Sequence, residues 1–242
     1  MSRANPPRWS ETIALFGGRF DPPHLGHAQA IRGLFEIPGV RQVWIIPSPT
    51  PPHKPATASF EHRVELAKIG LLHAHPAGDS GAVRIDLREA ERAKVRPDLP
   101  TYTFDTLQDI RRETSQIAFV IGTDQLEQLH TWHRFPDVLS LSHWVVLARK
   151  PQGQERSLKI LNEWEASGLV QKTTQRDVWW IKGTNSYLHL VPTEAAELSS
   201  TQIREQIART GEVPEGALSA QVLAYLKQNR LYGIRSELKN YD

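Results

Sequence analysis

The chain of 242 residues contains no cysteine. Disulfide bonds and thiol catalysis are therefore excluded, and the composition fits a reducing compartment. No apolar run approaches the ~20 residues that a membrane-spanning helix needs. The first ten residues are polar and contain proline, so they lack the apolar segment of a signal peptide. We therefore expect a cytoplasmic protein without a membrane partner.

The sequence also lacks an excess of charge of either sign. The 29 Lys and Arg residues nearly balance the 27 Asp and Glu residues. Nothing therefore marks a broad surface for nucleic acid or for a membrane. We expect no nucleic-acid partner, and any basic group that matters must act locally.

Short apolar runs alternate with helical patterns, which predicts an α/β fold with a mainly parallel sheet and crossover helices. The length fits one large domain, or a domain with a small appendage. The predicted strands are residues 12–16, 43–46, 117–121, 143–148 and 187–191, with a further short strand through Val83, Ile85 and Leu87. The predicted helices are residues 24–35, 60–73 and 103–112.

Two regions carry different patterns. Residues 47–55 contain five prolines, so they form neither a helix nor a central strand and are predicted to be a loop. Between residues 150 and 183 the pattern is weak. There, Leu161 and its helical neighbours predict one helix face, and residues 179–181 fit either a strand or a packing anchor.

The C-terminal region predicts two helices. Ser199 and Gln202 have the spacing of a capping box, so a helix should begin here. It should run to about Arg209, with Gly211 just past its end. A last helix is predicted over residues 218–228.

The most informative segment is the end of the first strand and the start of the next helix. Gly17 and Gly18 let the backbone pass close to a ligand, because no Cβ stands in the way. The helix N-terminus that follows offers N–H groups and a partial positive charge, which suit phosphate. His24 and His27 are one turn apart, so both rings can point the same way. We interpret this segment as a site for a polyphosphate whose charge grows during a reaction.

Other interpretations of the histidine pair are weaker. A single histidine is more often structural, and this chain has ten. A pair could also bind a metal ion, but zinc needs three or four ligands, and no third ligand is obvious nearby. We therefore expect no metal site built from protein ligands alone, and the ordered string of strand, glycines and histidines favours phosphate.

A second phosphate-binding segment is predicted at the start of the C-terminal helix. Ser199, Ser200 and Thr201 supply hydroxyl and N–H groups, and Arg204 adds a guanidinium one turn later. Taken alone, this segment fits a plain helix cap with an exposed arginine. Together with the first segment, it favours a cradle for β- and γ-phosphates.

Several segments occur in an order typical of one family: GGRFDPPHLGH at 17–27, PPHK at 51–54, FEHR at 60–63, YTFDTL at 102–107, IGTD at 121–124 and SSTQIR at 199–204. Together they resemble the bacterial nicotinate mononucleotide adenylyltransferases of the HxGH nucleotidyltransferase superfamily. The resemblance extends from residue 12 to about residue 233. The family pattern usually has threonine where this chain has Arg19. The guanidinium of Arg19 either contacts phosphate or faces solvent, and the sequence leaves both interpretations open.

The resemblance implies a Rossmann-like, doubly wound fold and an activity. The enzyme would transfer the adenylyl group of ATP to nicotinate mononucleotide, giving nicotinate adenine dinucleotide and pyrophosphate in NAD biosynthesis. The attack would be direct and in line, without a covalent enzyme intermediate. His24, His27 and Arg204 would be catalytic. Mg²⁺ would accompany ATP and be held mainly by phosphates and water.

The resemblance also implies two sets of binding residues. The ATP-binding residues would be Gly17, Gly18, Arg19, Phe20, His24, His27, Ser199, Ser200, Thr201 and Arg204. The residues binding nicotinate mononucleotide would be His53, Lys54, Tyr102, Thr103, Gly122, Asp124, Trp132, His133 and Arg134. In this set, Trp132 and Tyr102 would stack on the pyridine ring. Thr103 and the main-chain amide of His133 would read the carboxylate.

We expect one nucleotidyltransferase domain over residues 1–242, with a Rossmann-like core at 12–198 and a phosphate-binding helical part at 199–235. Three alternatives to the implied function stay open. The preferred acceptor could be nicotinamide mononucleotide, or the chain could be another HxGH adenylyltransferase, such as one that uses phosphopantetheine. It could also be a nucleotide-binding regulator that has lost catalysis, although both histidines and Arg204 are present. The sequence leaves open whether the chain forms a homo-oligomer.

Overall fold

A single sheet organises the molecule. The computed structural model describes residue 9 and residues 11–49, 57–78, 81–194 and 198–235. The strands in these residues are β1 Thr12–Gly18, β2 Val40–Pro47, β3 Val83–Ile85, β4 Ile117–Gly122, β5 His143–Arg149, β6 Val170–Lys172, β7 Val178–Ile181 and β8 Tyr187–Thr193. The helices are α1 Leu25–Phe35, α2 Phe60–Leu71, α3 Arg88–Val95, α4 Thr103–Arg111, α5 Thr123–Gln128, α6 Gln152–Ala166, α7 Ser200–Thr210 and α8 Ala220–Gln228. Short 3₁₀ turns lie at Leu129–Thr131, Asp137–Leu141 and Leu231–Gly233.

The order of the strands places a crevice beside β1. The order is β3-β2-β1-β4-β5-β8-β7-β6, with parallel pairing from β3 to β8 and antiparallel pairing of β8 with β7 and of β7 with β6. The chain builds outward from β1 to β3 and then returns to place β4 on the other side of β1. In open α/β sheets, ligands bind at the carboxyl ends of the strands where the order reverses in this way.

Helices cover both faces of the sheet, which confirms the predicted doubly wound α/β fold. On one face, Ile31 and Leu34 of α1 pack in a buried cluster with residues of β1, β2 and α2. On the other face, Leu107 of α4 and Leu161 of α6 pack around Trp144 of β5. None of these five side chains is exposed to solvent. No helix in the described part of the chain is long and apolar enough to cross a membrane.

The two C-terminal helices pack on α2. Ile203 and Ile207 of α7 and Val222 and Leu226 of α8 form a third buried cluster with Leu66 of α2. This contact brings the start of α7 to the carboxyl edge of the sheet. The division of the chain into a core at 12–198 and a helical part at 199–235 stays a prediction.

The structure corrects the predicted strand through Leu87. Strand β3 ends at Ile85, and Leu87 is the N-cap of a helix, α3, that the alternation did not indicate. The chain turns because Asp86 Oδ1 accepts the N–H of Arg88 at 3.0 Å. The weakly patterned region 150–183 forms α6 and the β6–β7 pair. The predicted helix through Leu161 is confirmed, and the structure buries this side chain.

The predicted capping box at the start of α7 is wrong. Ser199 is the N-cap, but within the described structure its side chain makes no capping hydrogen bond. The next hydroxyl, Ser200 Oγ, donates to the main-chain oxygen of Pro22 at 2.8 Å. The start of α7 is therefore fixed by tertiary docking instead of by a local cap. The predicted end is confirmed, because Gly211 terminates α7 with φ of 76°.

Candidate active site

A cleft of about 420 Å³ lies at the carboxyl ends of β1, β4 and β5. Its wall includes eight residues that the sequence singled out: Arg19, Phe20, His24, His27, Asp124, Ser199, Ser200 and Thr201. It also includes four that the sequence analysis missed: Asp21, Gln125, Arg149 and Leu198. The two predicted phosphate-binding segments therefore meet at one place.

The glycines beside the cleft make room for aromatic rings. A Cβ on Gly17 would lie 3.3 Å from the ring of Phe119, and one on Gly18 would lie 3.0 Å from the ring of Phe20. A Cβ on Gly26, between the two histidines, would lie 3.0 Å from Nδ1 of His24. We expected the backbone at the paired glycines to lie close to a ligand, but here it lies close to aromatic side chains of this chain.

The two histidine rings lie against each other in a tilted arrangement at the start of α1. Their ring centroids are 3.7 Å apart, with an angle of 32° between the planes. His24 is the N-cap residue, and its main-chain N–H donates to Nδ1 of His27 at 3.1 Å. A neutral His27 ring that accepts at Nδ1 carries its proton on Nε2. The first free N–H of the helix is already used, because Leu25 donates to the main-chain oxygen of Ala217 at 2.9 Å.

Both histidine rings are neutral near pH 7. Burial and the nearby Arg149 lower the pKa of His24 to about 4. Burial, the neighbouring His24 and Arg149 hold the pKa of His27 well below its ordinary value. The rings can therefore donate hydrogen bonds to an anion without carrying a charge themselves.

Positive charge reaches the cleft from arginines on other elements. Arg149 is the last residue of β5, and its Nη2 donates to the main-chain oxygen of Leu198 at 3.3 Å. Arg149 was not predicted as a site residue, although it directly follows a predicted strand and so had to lie at the carboxyl edge. Arg19 also lies on the wall, and a contact of its guanidinium with phosphate stays a prediction.

Arg204 anchors α7 to the loop after β1. Its Nη1 donates to the main-chain oxygen of Asp21 at 2.7 Å, across 183 residues of sequence. Its Nη2 lies 3.4 Å from the hydroxyl of Thr201, which is on the cleft wall. The guanidinium is thus held next to a residue of the cleft wall.

The predicted acceptor residues form a neighbouring aromatic group. Tyr102, the N-cap residue of α4, stacks on His133 with centroids 4.2 Å apart and planes 19° from parallel. The Arg134 guanidinium carbon lies 4.7 Å from the centroid of the Phe104 ring. Thr103 is the first residue of α4. One face of Tyr102 is therefore covered by His133.

Trp132 connects this group to the cleft through Phe119. It is half-buried, and its ring packs edge-on against Phe119 with centroids 6.1 Å apart. Phe119 is the ring that also lies against Gly17. Gly122, at the end of β4, has open space where a side chain would stand.

Three further residues predicted to bind nicotinate mononucleotide are not part of this aromatic group as the structure describes it. Asp124 lies on the wall of the cleft with the histidines, and its carboxylate pairs with Arg156 at 2.9 Å. His53 and Lys54 lie outside the described residues.

Comparisons with known proteins give consistent results. The profile of a family described as cytidylyltransferase-like matches residues 15–206. A probable nicotinate-nucleotide adenylyltransferase of Serratia proteamaculans is 31% identical over 223 residues, which cover 90% of this chain and 94% of that protein. A protein of the same description from Pectobacterium atrosepticum is 30% identical and is covered to 97%.

Solved structures show the same fold at low identity. The nicotinic acid mononucleotide adenylyltransferase of Plasmodium falciparum, complexed with NaAD, aligns with a TM-score of 0.69 and 14% identity. The alignment covers 94% of this chain and all of that chain. A putative nicotinate-nucleotide adenylyltransferase of Vibrio parahaemolyticus aligns with a TM-score of 0.52 and 17% identity, covering 89% of this chain and 98% of that one.

The depressed pKa of His24 predicts a pH dependence of folding stability. Between pH 6.5 and about 4, the unfolded chain binds a proton at His24 and the folded chain does not. The free energy of unfolding therefore falls as the pH is lowered through this window, by on the order of 3 kcal/mol from this group. Denaturant unfolding of the wild type and of His24→Asn between pH 7 and pH 4 should show a shallower decline in the variant.

Exposed His73 gives the matched control, because His73→Asn should keep the slope of the wild type. Parallel stability curves for the wild type and His24→Asn would show that the buried ring titrates normally.

Proposed function

Because this chain belongs to the cytidylyltransferase-like family and, within it, to the nicotinate-nucleotide adenylyltransferases, we propose that the cleft beside β1 is its site of adenylyl transfer. The chain transfers the adenylyl group of ATP to nicotinate mononucleotide in NAD biosynthesis and releases pyrophosphate. The observation that carries the proposed site is the convergence of neutral His24 and His27, Arg149 and the start of α7 on one cleft.

The reaction needs no nucleophile from the protein. An oxygen of the acceptor phosphate attacks the α-phosphorus of ATP, and the bond to the leaving pyrophosphate breaks. The protein must align two polyanions and stabilise charge on the equatorial and leaving oxygens. His27 suits this role because its Nε2–H is free of the helix contact that holds Nδ1. A neutral ring donates without transferring its proton to the acceptor phosphate.

We assign the pyrophosphate part of ATP to the arginines and α7. Arg19 and Arg149 line the cleft, and Arg204 is held behind Thr201. The N-terminus of α7 adds hydroxyls and the positive end of a helix dipole. Guanidinium groups form strong, charge-assisted hydrogen bonds with phosphate oxygens.

We assign the mononucleotide to the space beside Trp132. Trp132 is half-buried, whereas Tyr102 already stacks on His133, so Trp132 has the ring better placed for a pyridine. The open space at Gly122 leaves room for a ligand that a side chain would fill. The N-terminus of α4 at Thr103 supplies N–H groups for a carboxylate.

The cleft suits a magnesium ion that arrives with the nucleotide. The oxygens of Asp21 already accept N–H and O–H donors, and Asp124 pairs with Arg156. Among the described residues, no group of three or more His, Asp or Glu side chains is placed to hold a metal ion. We expect phosphate oxygens and water to hold Mg²⁺, which keeps its water readily. When bound, the ion would neutralise charge on the leaving pyrophosphate. A cytoplasmic location stays a prediction, and the oligomeric state stays open.

Pyrophosphate release tests the acceptor. The purified protein with ATP and Mg²⁺ should release pyrophosphate fastest with nicotinate mononucleotide. Nicotinamide mononucleotide and phosphopantetheine, offered in parallel, should react more slowly, because the N–H groups at the start of α4 favour a carboxylate. Faster release with either of them would reassign the acceptor, and ATP binding without release for any acceptor would favour a regulator.

His27→Ala and Arg204→Ala should lower kcat much more than they raise the KM for nicotinate mononucleotide. The expected loss is on the order of 10²–10³-fold, because each removes a donor that acts on charge developing in the transition state. Arg209→Ala is the matched control, since Arg209 is exposed on the same helix. Near-normal turnover in both test variants would exclude the proposed phosphate site.

Trp132→Ala should raise the KM for nicotinate mononucleotide and leave the KM for ATP almost unchanged. Ring stacking is made equally in the ground and transition states, so it affects binding rather than kcat. Base–aromatic stacks contribute ~1–3 kcal/mol, which corresponds to roughly five- to hundredfold. Steady-state kinetics of Trp132→Ala, with Trp180→Ala on β7 as control, measures this. A lower melting temperature with unchanged KM would mean that Trp132 is only a packing residue.

A further inference from the structure

Asp21 joins distant segments of the chain beside the cleft. Its side chain is fully buried. Oδ2 accepts the main-chain N–H of Thr57 at 2.8 Å, and Oδ1 accepts that of Ala58 at 3.2 Å. Oδ1 also accepts the hydroxyl of Tyr232 at 2.7 Å, from 211 residues away. The carboxylate is thus held by the segment before α2 and by the C-terminal 3₁₀ turn.

Arg204 lies next to this carboxylate without being seated on it. Its Nη1 is 3.9 Å from Oδ2 of Asp21 but only 2.7 Å from the main-chain oxygen of the same residue. A small movement would replace the main-chain contact by a close ion pair. The partners of the carboxylate therefore influence where the guanidinium rests.

The backbone around Tyr232 adopts a conformation that a bulky residue rarely takes. Tyr232 has φ of 58°, between Arg230 at 49° and Gly233 at 81°. Such strain persists only where the surroundings hold it. Here the main-chain N–H of Arg235 donates to the oxygen of Gly211 at 3.1 Å, which ties the turn to the end of α7. Burial and the nearby Asp21 raise the pKa of the Tyr232 hydroxyl far above its ordinary value, so it remains a donor.

These contacts close a circuit around the phosphate site. It runs from Asp21 to Tyr232, through the 3₁₀ turn to Gly211, along α7 to Arg204, and back to the main chain of Asp21. We propose that Tyr232 is a positioning residue for adenylyl transfer: its hydroxyl satisfies Asp21 and so keeps Arg204 out of an ion pair and available to phosphate. This inference rests on the proposed function of the cleft.

The physical reason is competition for a buried acceptor. Without the hydroxyl, the 3.2 Å bond from Ala58 is the one that Oδ1 of Asp21 keeps among the described residues. A buried carboxylate that loses a donor gains more from a nearby cation. Arg63 also acts on Asp21, but its guanidinium is held by the main-chain oxygens of Arg19, Ser48 and Pro49. Arg204 is 3.9 Å away, and moving it onto the carboxylate draws it away from Thr201 and the cleft.

The test compares two tyrosine hydroxyls. Tyr232→Phe removes only the donor to Asp21. Tyr225→Phe is the matched control, because its hydroxyl lies 3.0 Å from Nδ1 of His62, on α8 and α2. For Tyr232→Phe we expect a loss of about tenfold in ATP affinity and in kcat/KM for ATP, which corresponds to 1.4 kcal/mol. The KM for nicotinate mononucleotide should not change, and Tyr225→Phe should behave as the wild type.

A double-mutant cycle separates positioning from general destabilisation. In the Arg204→Ala background, Tyr232→Phe should have no further effect on ATP affinity or kcat, because the residue through which it acts is gone. Melting curves of all variants establish that the measurements are made on folded protein. Wild-type ATP affinity in Tyr232→Phe, or effects of the two substitutions that multiply, would overturn the proposal.

The proposed role of Tyr232 and the proposed adenylyl transfer can be contradicted separately. ATP affinity is measured by calorimetry without an acceptor, so it does not depend on which acceptor the enzyme uses. A wild-type protein that binds ATP but releases no pyrophosphate with nicotinate mononucleotide would contradict the proposed function. The comparison of Tyr232→Phe with Tyr225→Phe would still decide the role of the hydroxyl.

Discussion

The site depends on the position of β1 between two parallel neighbours. β1 pairs with β2 on one side, where Phe16 lies opposite Ile45, and with β4 on the other, where Phe16 lies opposite Val120. Because all three strands run the same way, their carboxyl ends open at one edge. The connections leave in opposite directions there, so the crossovers within the described residues leave the gap open. The N-termini of α1 and α5 and the end of β5 consequently face one cleft, and the chemistry of the site follows from which residues occupy those few positions.

The cleft combines uncharged donors with charged arginines, and the packing of the histidines explains the division. Rings 3.7 Å apart could not both be protonated without strong repulsion. Burial and Arg149 lower the pKa of His24 to about 4 and depress that of His27 as well. The neutral state in turn lets the rings pack closely, which fixes their direction before a ligand arrives. Groups that are already oriented need no reorganisation during the reaction, and this preorganisation is the main means by which such sites stabilise developing charge.

Local sequence patterns predicted what depends on neighbours in the chain, and missed what depends on distant contacts. The strands follow from periodicity and the histidine pair from spacing. The glycine that ends α7 follows from the tolerance of glycine for a positive φ. These features could therefore be predicted. Arg149 directly follows a predicted strand, so its place at the carboxyl edge could be predicted, but its approach to His24 and His27 could not. The cap at Ser199 failed because Ser200 docks on Pro22, a contact across 178 residues. The link from Asp21 to Tyr232 spans 211 residues and leaves no local pattern at all.

Loops at the edge of a parallel sheet need partners for their main-chain oxygens, and here a buried cation supplies them. The side chain of Arg63 is 1% exposed, and its guanidinium donates to the main-chain oxygens of Arg19, Ser48 and Pro49 at 2.8 to 3.1 Å. One side chain from α2 therefore holds the loop after β1 against the loop after β2. A buried cation bound in this way fixes geometry more than it adds stability, because its desolvation offsets much of the gain. Contacts within the protein, from Arg63 on one side and Asp21 on the other, thus fix the shape of the proposed phosphate-binding turn.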